Sequence, residues 1–142
     1  MRKPEALLLD THAWIWLIED NPRLHAAARK AITKASGAGL LRLSATSVFE
    51  VAMLMRKKRY LAAGMTLEDW MAKAVAIPGL TVLPIDVRVA LKSQMIGDDF
   101  HSDPADRFIV ATAQIEHARL ATADALILEF ATRIGLPVLN LG

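Results

Sequence analysis

Short apolar runs alternate with longer segments of mixed polarity along the whole chain. The short runs contain few polar residues, which is typical of parallel strands that are buried on both faces. The longer segments have helical apolar spacing, and several end at Gly or Pro. Strands are predicted over residues 6–10, 40–44, 80–84, 119–122 and 137–140, and helices over 11–19, 23–35, 44 or 46–58, 66–76, 86–96, 104–117 and 124–134. This order predicts an α/β fold, a three-layer sandwich with a central parallel sheet of four or five strands flanked by helices.

Length and composition narrow the class of protein. The 142 residues suit a single domain that spans 1–142. The chain has no cysteine, which excludes a disulfide framework, zinc–thiolate sites and thiol catalysis, and fits a reducing cytoplasm. No signal-peptide pattern is visible, and no uncharged apolar run approaches the ~20 residues that span a bilayer. We therefore expect a cytoplasmic protein without a membrane segment.

Four acidic residues occupy positions at which this fold would gather them. Asp10 follows the first predicted strand, and Asp124 follows the fourth. Glu50 lies in an apolar helical segment, and Asp106 is the third residue of the helix that begins at Pro104. Ligands of open parallel sheets bind at the carboxyl ends of the strands, where Asp10 and Asp124 would lie. The pattern therefore indicates a site built from carboxylates.

Each acid also has a simpler explanation. An acidic residue at the start of a helix can cap it or complement its dipole, which applies to Asp103, Asp106 and Asp124. Asp10 could cap as well, although Thr11 could do so instead and would leave Asp10 without a structural role. Glu50 could lie on a narrow polar stripe of its helix.

Carboxylates that share a site call for a cation. At ~5 Å separation and an effective dielectric of ~20, each ionised pair repels by roughly 3 kcal/mol. A cation or a bound proton relieves this repulsion, and ligand sets made only of oxygen favour Mg²⁺ or Mn²⁺. His12 and His101 leave open a mixed histidine–carboxylate site for a transition metal. His25 and His117 are predicted to be surface residues at ordinary helical positions.

Charge is distributed unevenly along the chain. Residues 1–60 hold 11 Lys/Arg against 5 Asp/Glu, a net of +6, whereas residues 61–142 hold 6 against 10, a net of −4. The basic excess peaks at Arg56, Lys57, Lys58 and Arg59. A basic face beside an acidic pocket would suit a polyanion. The alternative is a solvated helix end, where Lys and Arg complement the helix dipole.

Four segments in order resemble the PIN-domain nucleases, specifically the VapC-type ribonuclease toxins of VapBC toxin–antitoxin pairs. They are LLLDTHA at 7–13, SATSVFEVA at 44–52, DPADRFIVATA at 103–113 and LATAD at 120–124. The resemblance covers essentially the whole chain. It implies the strand order 3-2-1-4-5 and a metal-dependent endoribonuclease that acts as the toxin of such a pair. It also implies three partners: an RNA substrate, a cognate antitoxin protein and a second copy in a homodimer.

The resemblance carries roles to residues that match its motifs. The four acids that would hold one or two Mg²⁺ or Mn²⁺ ions are Asp10, Glu50, Asp106 and Asp124. Residues with a secondary role, in the metal shell or in positioning, are Thr11, Ser47, Asp103 and Arg107. Arg107 would pair with an acid, face a phosphate or form a structural salt bridge. The basic run, rather than a family motif, supplies the residues that would hold the RNA backbone: Arg56, Lys57, Lys58 and Arg59, with Arg42 as a further candidate.

Protein partners would need exposed apolar side chains. Trp14 and Trp16 lie about 200° apart on a helix, so one is expected to pack inward and the other to pack elsewhere or contact a partner. An antitoxin segment would lie in a groove to which Met53, Met55, Tyr60 and Leu61 could contribute.

Other classes of protein remain as alternatives. A PIN-like module could bind RNA or protein without cutting. A haloacid-dehalogenase-type phosphatase needs a second Asp two residues after the first, where this chain has His12. A receiver domain needs an acceptor Asp after strand three, where Asp86 has the position of a helix cap. Dinucleotide binding is disfavoured because no Gly-rich turn follows strand one.

Overall fold

One parallel sheet of five strands forms the centre of the protein. The computed structural model describes residues 5–57, 64–101 and 103–142. The strands, numbered β1 to β5 along the chain, are Leu7–Leu9, Leu41–Ser44, Leu80–Leu83, Arg119–Thr122 and Val138–Asn140. All neighbours pair in parallel, in the order β3-β2-β1-β4-β5. The predicted fold class and strand order are confirmed.

Helices cover both faces of the sheet. The described residues contain seven, numbered α1 to α7: Thr11–Glu19, Ala26–Gly37, Ala45–Arg56, Leu67–Ala74, Val87–Ser93, Pro104–Ile115 and Ala125–Ile134. Side chains of β1 alternate between two cores: Leu7 and Leu9 pack in one with α1 and α2, and Leu8 packs in the other with α6 and α7. No helix in the described part of the chain is long and apolar enough to cross a membrane.

Some element boundaries differ from those predicted. Helix α2 begins at Ala26 rather than at residue 23, because His25 is its cap and Nδ1 of His25 accepts the Ala28 N–H at 3.2 Å. His25 is exposed as predicted, but it is a cap rather than a helical residue. Helix α3 follows β2 directly, and Ser44 rather than Thr46 caps it. Strand β3 is partly exposed, so the expectation of strands buried on both faces is wrong there, since β3 is an edge strand.

The register of the sheet brings the ends of β1, β2 and β4 together. Leu9 of β1 is level with Leu43 of β2 and with Ala121 of β4. The next residue, Asp10, donates its backbone N–H to the Ala121 carbonyl at 3.1 Å. Asp10 is therefore flanked by the last residues of the two neighbouring strands, Ser44 and Thr122. This carboxyl edge of the sheet is where α1, α3 and α7 begin.

Trp14 is the inward-facing tryptophan of α1. It is fully buried, and its ring N–H donates to the Ala74 carbonyl at the end of α4, at 2.9 Å. Its ring meets that of Trp70 edge-on, with centroids 5.5 Å apart. Trp16 is only partly buried and lies beneath the guanidinium of Arg23 at 5.8 Å. Core packing is therefore confirmed for Trp14, and it anchors α1 to α4.

Replacing Trp14 tests this anchor. Trp14→Phe leaves a void and an unpaired buried carbonyl on Ala74, so we expect the free energy of unfolding to fall by about 2–4 kcal/mol. The matched control Trp16→Phe, at a partly exposed position, is expected to cost less than about 1 kcal/mol. Urea denaturation followed by circular dichroism measures both. Equal losses in the two variants would contradict the anchoring role of Trp14.

Candidate active site

Asp10 is the buried acid at the centre of the carboxyl edge. Its Oδ1 accepts the backbone N–H of Ala13 at 2.7 Å, so Asp10 itself caps α1. The alternative that Thr11 caps this helix is wrong, because Thr11 is the first helical residue. Burial raises the pKa of Asp10; hydrogen bonds from the Thr122 hydroxyl and from Ala13 act against this rise. Hydrogen-bond donors therefore stabilise the ionised carboxylate of Asp10, while burial destabilises it.

Glu50 reaches the same region from α3. The hydroxyl of Thr11 donates to Glu50 Oε1 at 2.6 Å and lies 2.8 Å from the hydroxyl of Ser47. Because Thr11 has one hydroxyl hydrogen and Glu50 receives it, Ser47 must donate to Thr11. Burial raises the pKa of Glu50, and the Thr11 hydrogen bond lowers it. Glu50 therefore faces the site, and Thr11 and Ser47 fix its position.

Asp106 is the acid whose ionisation the other four carboxylates oppose. It is the third residue of α6, and 21% of its side chain is exposed. Burial first, and then negative charge on neighbouring carboxylates, raise its pKa to about 7. Those neighbours are Asp103, Asp124, Glu50 and Asp10. Four acids from four separate segments of the chain are thus close enough to raise the pKa of Asp106.

Asp103 and Asp124 are exposed helix caps. Asp103 Oδ1 accepts the Ala105 N–H at 2.9 Å, and Asp124 Oδ1 accepts those of Leu126 and Ile127 at 2.8 and 3.1 Å. The capping explanation is therefore correct for both. Both carboxylates nevertheless contribute to the raised pKa of Asp106, so a cap here is also part of the acidic group.

The acids suit a hard cation in their chemistry, but their side chains do not yet surround one. Within the described ranges, no three His, Cys, Asp or Glu side chains are close enough to hold one metal ion. The described residues therefore do not form the mixed histidine–carboxylate site either. The oxygen donors match those that Mg²⁺ and Mn²⁺ prefer, and the mutual repulsion at Asp106 is the kind that a cation relieves. The chemistry of the donor set therefore fits such an ion.

Arg107 lies beneath the site rather than in it. It is buried, and its guanidinium donates to the carbonyls of Ser93, Gly97, Phe100 and His101 at 2.9, 3.1, 3.2 and 3.4 Å. The expected salt bridge is not found among the described residues, because backbone carbonyls take its donors instead. Arg107 thus fixes the segment between α5 and α6.

The predicted basic run begins at the far end of α3. Arg56 is the last residue of the helix, Lys57 follows it, and both are exposed. The remaining basic residues of the run, Lys58 and Arg59, lie outside the described residues, as do Tyr60 and Leu61. Arg42 donates to the carbonyls of Gly39 and Leu41, at the amino end of β2. It therefore points away from the acids.

The structure gives two residues near the acids a role that the sequence did not predict. Thr122 is fully buried, and its hydroxyl lowers the pKa of Asp10. Its position as the last residue of a strand beside β1 was the available signal. His101 was considered only as a metal ligand, but its Nε2 lies 3.2 Å from Asp106 Oδ2.

Known proteins with the same sequence pattern or fold support this geometry. The family model described as PIN domain matches residues 7–133. Ribonuclease VapC22 of Mycobacterium tuberculosis (strain ATCC 25618 / H37Rv) is 39% identical over 122 residues, which cover 83% of this chain and 86% of that protein.

Solved structures share the fold at low sequence identity. DNA-bound VapBC from Salmonella typhimurium matches with a TM-score of 0.69 and 18% identity over 98% of this chain and 100% of that chain. FitAcB from Neisseria gonorrhoeae matches with a TM-score of 0.65 and 22% identity over 95% of this chain and 97% of that chain. From its motifs, its strand order and its homology to a VapC ribonuclease, we conclude that the chain belongs to the PIN domain family.

Proposed function

We propose that this protein is a metal-dependent endoribonuclease that acts as the toxin of a type II toxin–antitoxin pair. The observation that carries the proposal is Asp106, whose pKa is raised to about 7 by burial and by four other carboxylates. A cation that offsets the repulsion favours the ionised form of such a group. The ribonuclease that is 39% identical over 122 residues supports RNA as the substrate.

The acids divide the work of binding a cation. Asp10, Glu50 and Asp106 would hold one or two Mg²⁺ or Mn²⁺ ions, and Asp124 would complete the set directly or through water. A bound cation would neutralise charge on the scissile phosphate and lower the pKa of a water molecule. The chain itself supplies orientation: Ala13 fixes Asp10, and Thr11 fixes Glu50.

RNA would be held by the basic end of α3. Glu50 lies in α3, Arg56 is the last residue of that helix, and Lys57 follows it. Both basic residues are exposed, and they lie roughly 9–10 Å from Glu50 along the helix axis. A phosphate backbone that contacts Arg56 and Lys57 would thus pass close to the acids. We extend this role to Lys58 and Arg59 because they continue the basic run in sequence. Such contacts would depend on salt and be largely independent of base sequence.

We propose an antitoxin and a second copy of this chain as the protein partners. A toxin–antitoxin complex from Klebsiella pneumoniae shares the fold, with a TM-score of 0.65 and 18% identity over 96% of this chain. Val87, Leu91 and Met95 are 83%, 61% and 66% exposed and recur every four residues along α5 and just beyond it. Apolar surface of this kind is typical of protein contacts. It would suit the homodimer.

A non-catalytic PIN-like module is the second candidate. The observation that favours it is the lack, within the described ranges, of three metal-ligating side chains already arranged around one point. Such a module would bind RNA or protein without cutting it. The two candidates differ in one measurable respect, namely whether RNA is hydrolysed in the presence of a divalent cation.

Cleavage of a mixed RNA pool tests the nuclease. With Mg²⁺ or Mn²⁺ the purified protein, freed of antitoxin, is expected to cut RNA, and EDTA is expected to abolish cutting. Asp10→Asn and Asp106→Asn each remove one charged ligand, so we expect at least about a 100-fold loss of rate.

The matched control for cleavage is Asp86→Asn. Asp86 caps α5 and is not among the acids that act on Asp106, and Asn caps about as well, so its rate should equal that of the parent. Circular dichroism verifies that every variant folds. Full metal-dependent cutting by the folded Asp106→Asn variant would refute the proposed mechanism, and RNA binding without cutting would favour the module.

Salt dependence of RNA binding tests the basic end of α3. Two phosphate contacts to a single strand contribute about 1.4 to the slope of log K against log salt. We expect Arg56→Gln with Lys57→Gln, made in the inactive Asp106→Asn background, to weaken binding and to reduce the slope by about that amount. The control is Lys30→Gln with Lys34→Gln, two exposed residues of α2. An equal change in slope for the α2 pair would contradict the assignment.

The stability of the metal-free protein should depend on pH through Asp106. Its pKa is about 7 in the folded state against an ordinary 3.8, so between these values the folded state binds more protons than the unfolded state. The free energy of unfolding in EDTA is therefore expected to fall as pH rises through this window and to level off above about 7. Asp106→Asn should reduce the fall between pH 5 and pH 8 in urea denaturation. An unchanged fall would show that Asp106 does not carry this proton.

A further inference from the structure

The side chain of His101 ends in a buried nitrogen without a hydrogen-bond partner. Nε2 is shielded from solvent and lies 3.2 Å from Asp106 Oδ2, but the approach does not have the angles of a hydrogen bond. A buried polar atom left unpaired is destabilising, so a folded protein that keeps one calls for an explanation. Its only charged neighbour at this distance among the described residues is a carboxylate of the acidic group.

The other ring nitrogen indicates which atom carries the hydrogen. The backbone N–H of Asp103 points to Nδ1 of His101 at 3.4 Å, so Nδ1 acts as an acceptor. In a neutral imidazole the hydrogen then resides on Nε2. The unpaired atom is therefore a donor, and Oδ2 of Asp106 lies within hydrogen-bond distance of it but not yet at a hydrogen-bond angle.

The ring is held in this orientation from two sides. Arg107 donates to the backbone carbonyls of Phe100 and His101, which fixes the chain just before α6. The ring of His101 packs against that of Phe100 with centroids 4.2 Å apart, and Phe100 stacks in turn on Phe130 at 4.5 Å. Because Arg107 follows Asp106 directly, the same turn of α6 carries the acid and anchors the donor.

We propose that His101 is a positioning residue for Asp106, whose Nε2–H donates to Oδ2 and leaves Oδ1 for the cation. This inference rests on the proposed nuclease function. The two atoms are already within hydrogen-bond distance, so the pair differs from a hydrogen bond in angle rather than in separation. Carboxylates that bind metals are regularly oriented by such outer partners, and losing one costs 10–100-fold in metal affinity.

Two isosteric substitutions separate the two ring nitrogens. The amide nitrogen of His101→Gln can take the place of Nε2 and donate to Asp106. The amide of His101→Asn reaches only the place of Nδ1 and faces Asp103. We expect His101→Asn to weaken Mn²⁺ binding about 10–100-fold in titration calorimetry of the whole chain, whereas His101→Gln stays within a few-fold of the parent.

Further measurements distinguish positioning from a general structural role. In EDTA both variants should melt like the parent. At saturating Mg²⁺ the RNA-cleavage rate of His101→Asn should recover most of the parental value, because affinity rather than chemistry is impaired. Adding His101→Asn to Asp106→Asn should cause no further loss of Mn²⁺ affinity. The control His117→Asn, at an exposed histidine with a φ of 50° that Asn tolerates, should leave affinity unchanged.

The outcomes separate this inference from the function on which it rests. Parental affinity in His101→Asn overturns the positioning role alone, as does equal loss in the Gln and Asn variants, which would instead make His101 a direct ligand. A parent chain that neither binds Mn²⁺ nor cuts RNA overturns both the inference and the proposed nuclease.

Discussion

The cost of holding several carboxylates in a small, partly buried volume governs the architecture of this protein. Burial raises the pKa of Asp10, Glu50 and Asp106, and their neighbours raise that of Asp106 further. The fold offsets part of this cost with hydrogen-bond donors and with helix dipoles. Helices α1, α6 and α7 all begin at acids of this group, so their positive ends face it.

Capping and site formation are therefore one arrangement rather than competing explanations. Asp10, Asp103 and Asp124 each cap a helix, and each also acts electrostatically on another acid of the group. A cap fixes a carboxylate relative to the backbone and stabilises its charge with N–H donors. Glu50 and Asp106 do not cap a helix. The hydroxyl of Thr11 positions Glu50, and the first turn of α6 positions Asp106.

The sequence predicted what depends on local pattern and missed what depends on contact between distant segments. Alternating apolar runs predicted the strands, and the order of four motifs implied their arrangement in the sheet. Thr122 beside Asp10 follows from the register of β1 against β4, which the strand pattern indicates only once the strand order is known. For Arg107 the alternatives were an acid, a phosphate or a structural salt bridge, but its partners are backbone carbonyls, which have no signature in a sequence. The helix cap formed by His25 was missed because histidine is an uncommon cap.

The four carbonyls that bind Arg107 also limit how the segment between α5 and α6 can change. Surface loops usually accept insertions and deletions, because their backbone groups can turn to water. Here a change of length between residues 94 and 103 would move carbonyls away from a buried guanidinium and leave its donors unpaired. Members of the family that keep an arginine in this role should therefore hold this loop at constant length, and differences in substrate choice would have to arise in other loops.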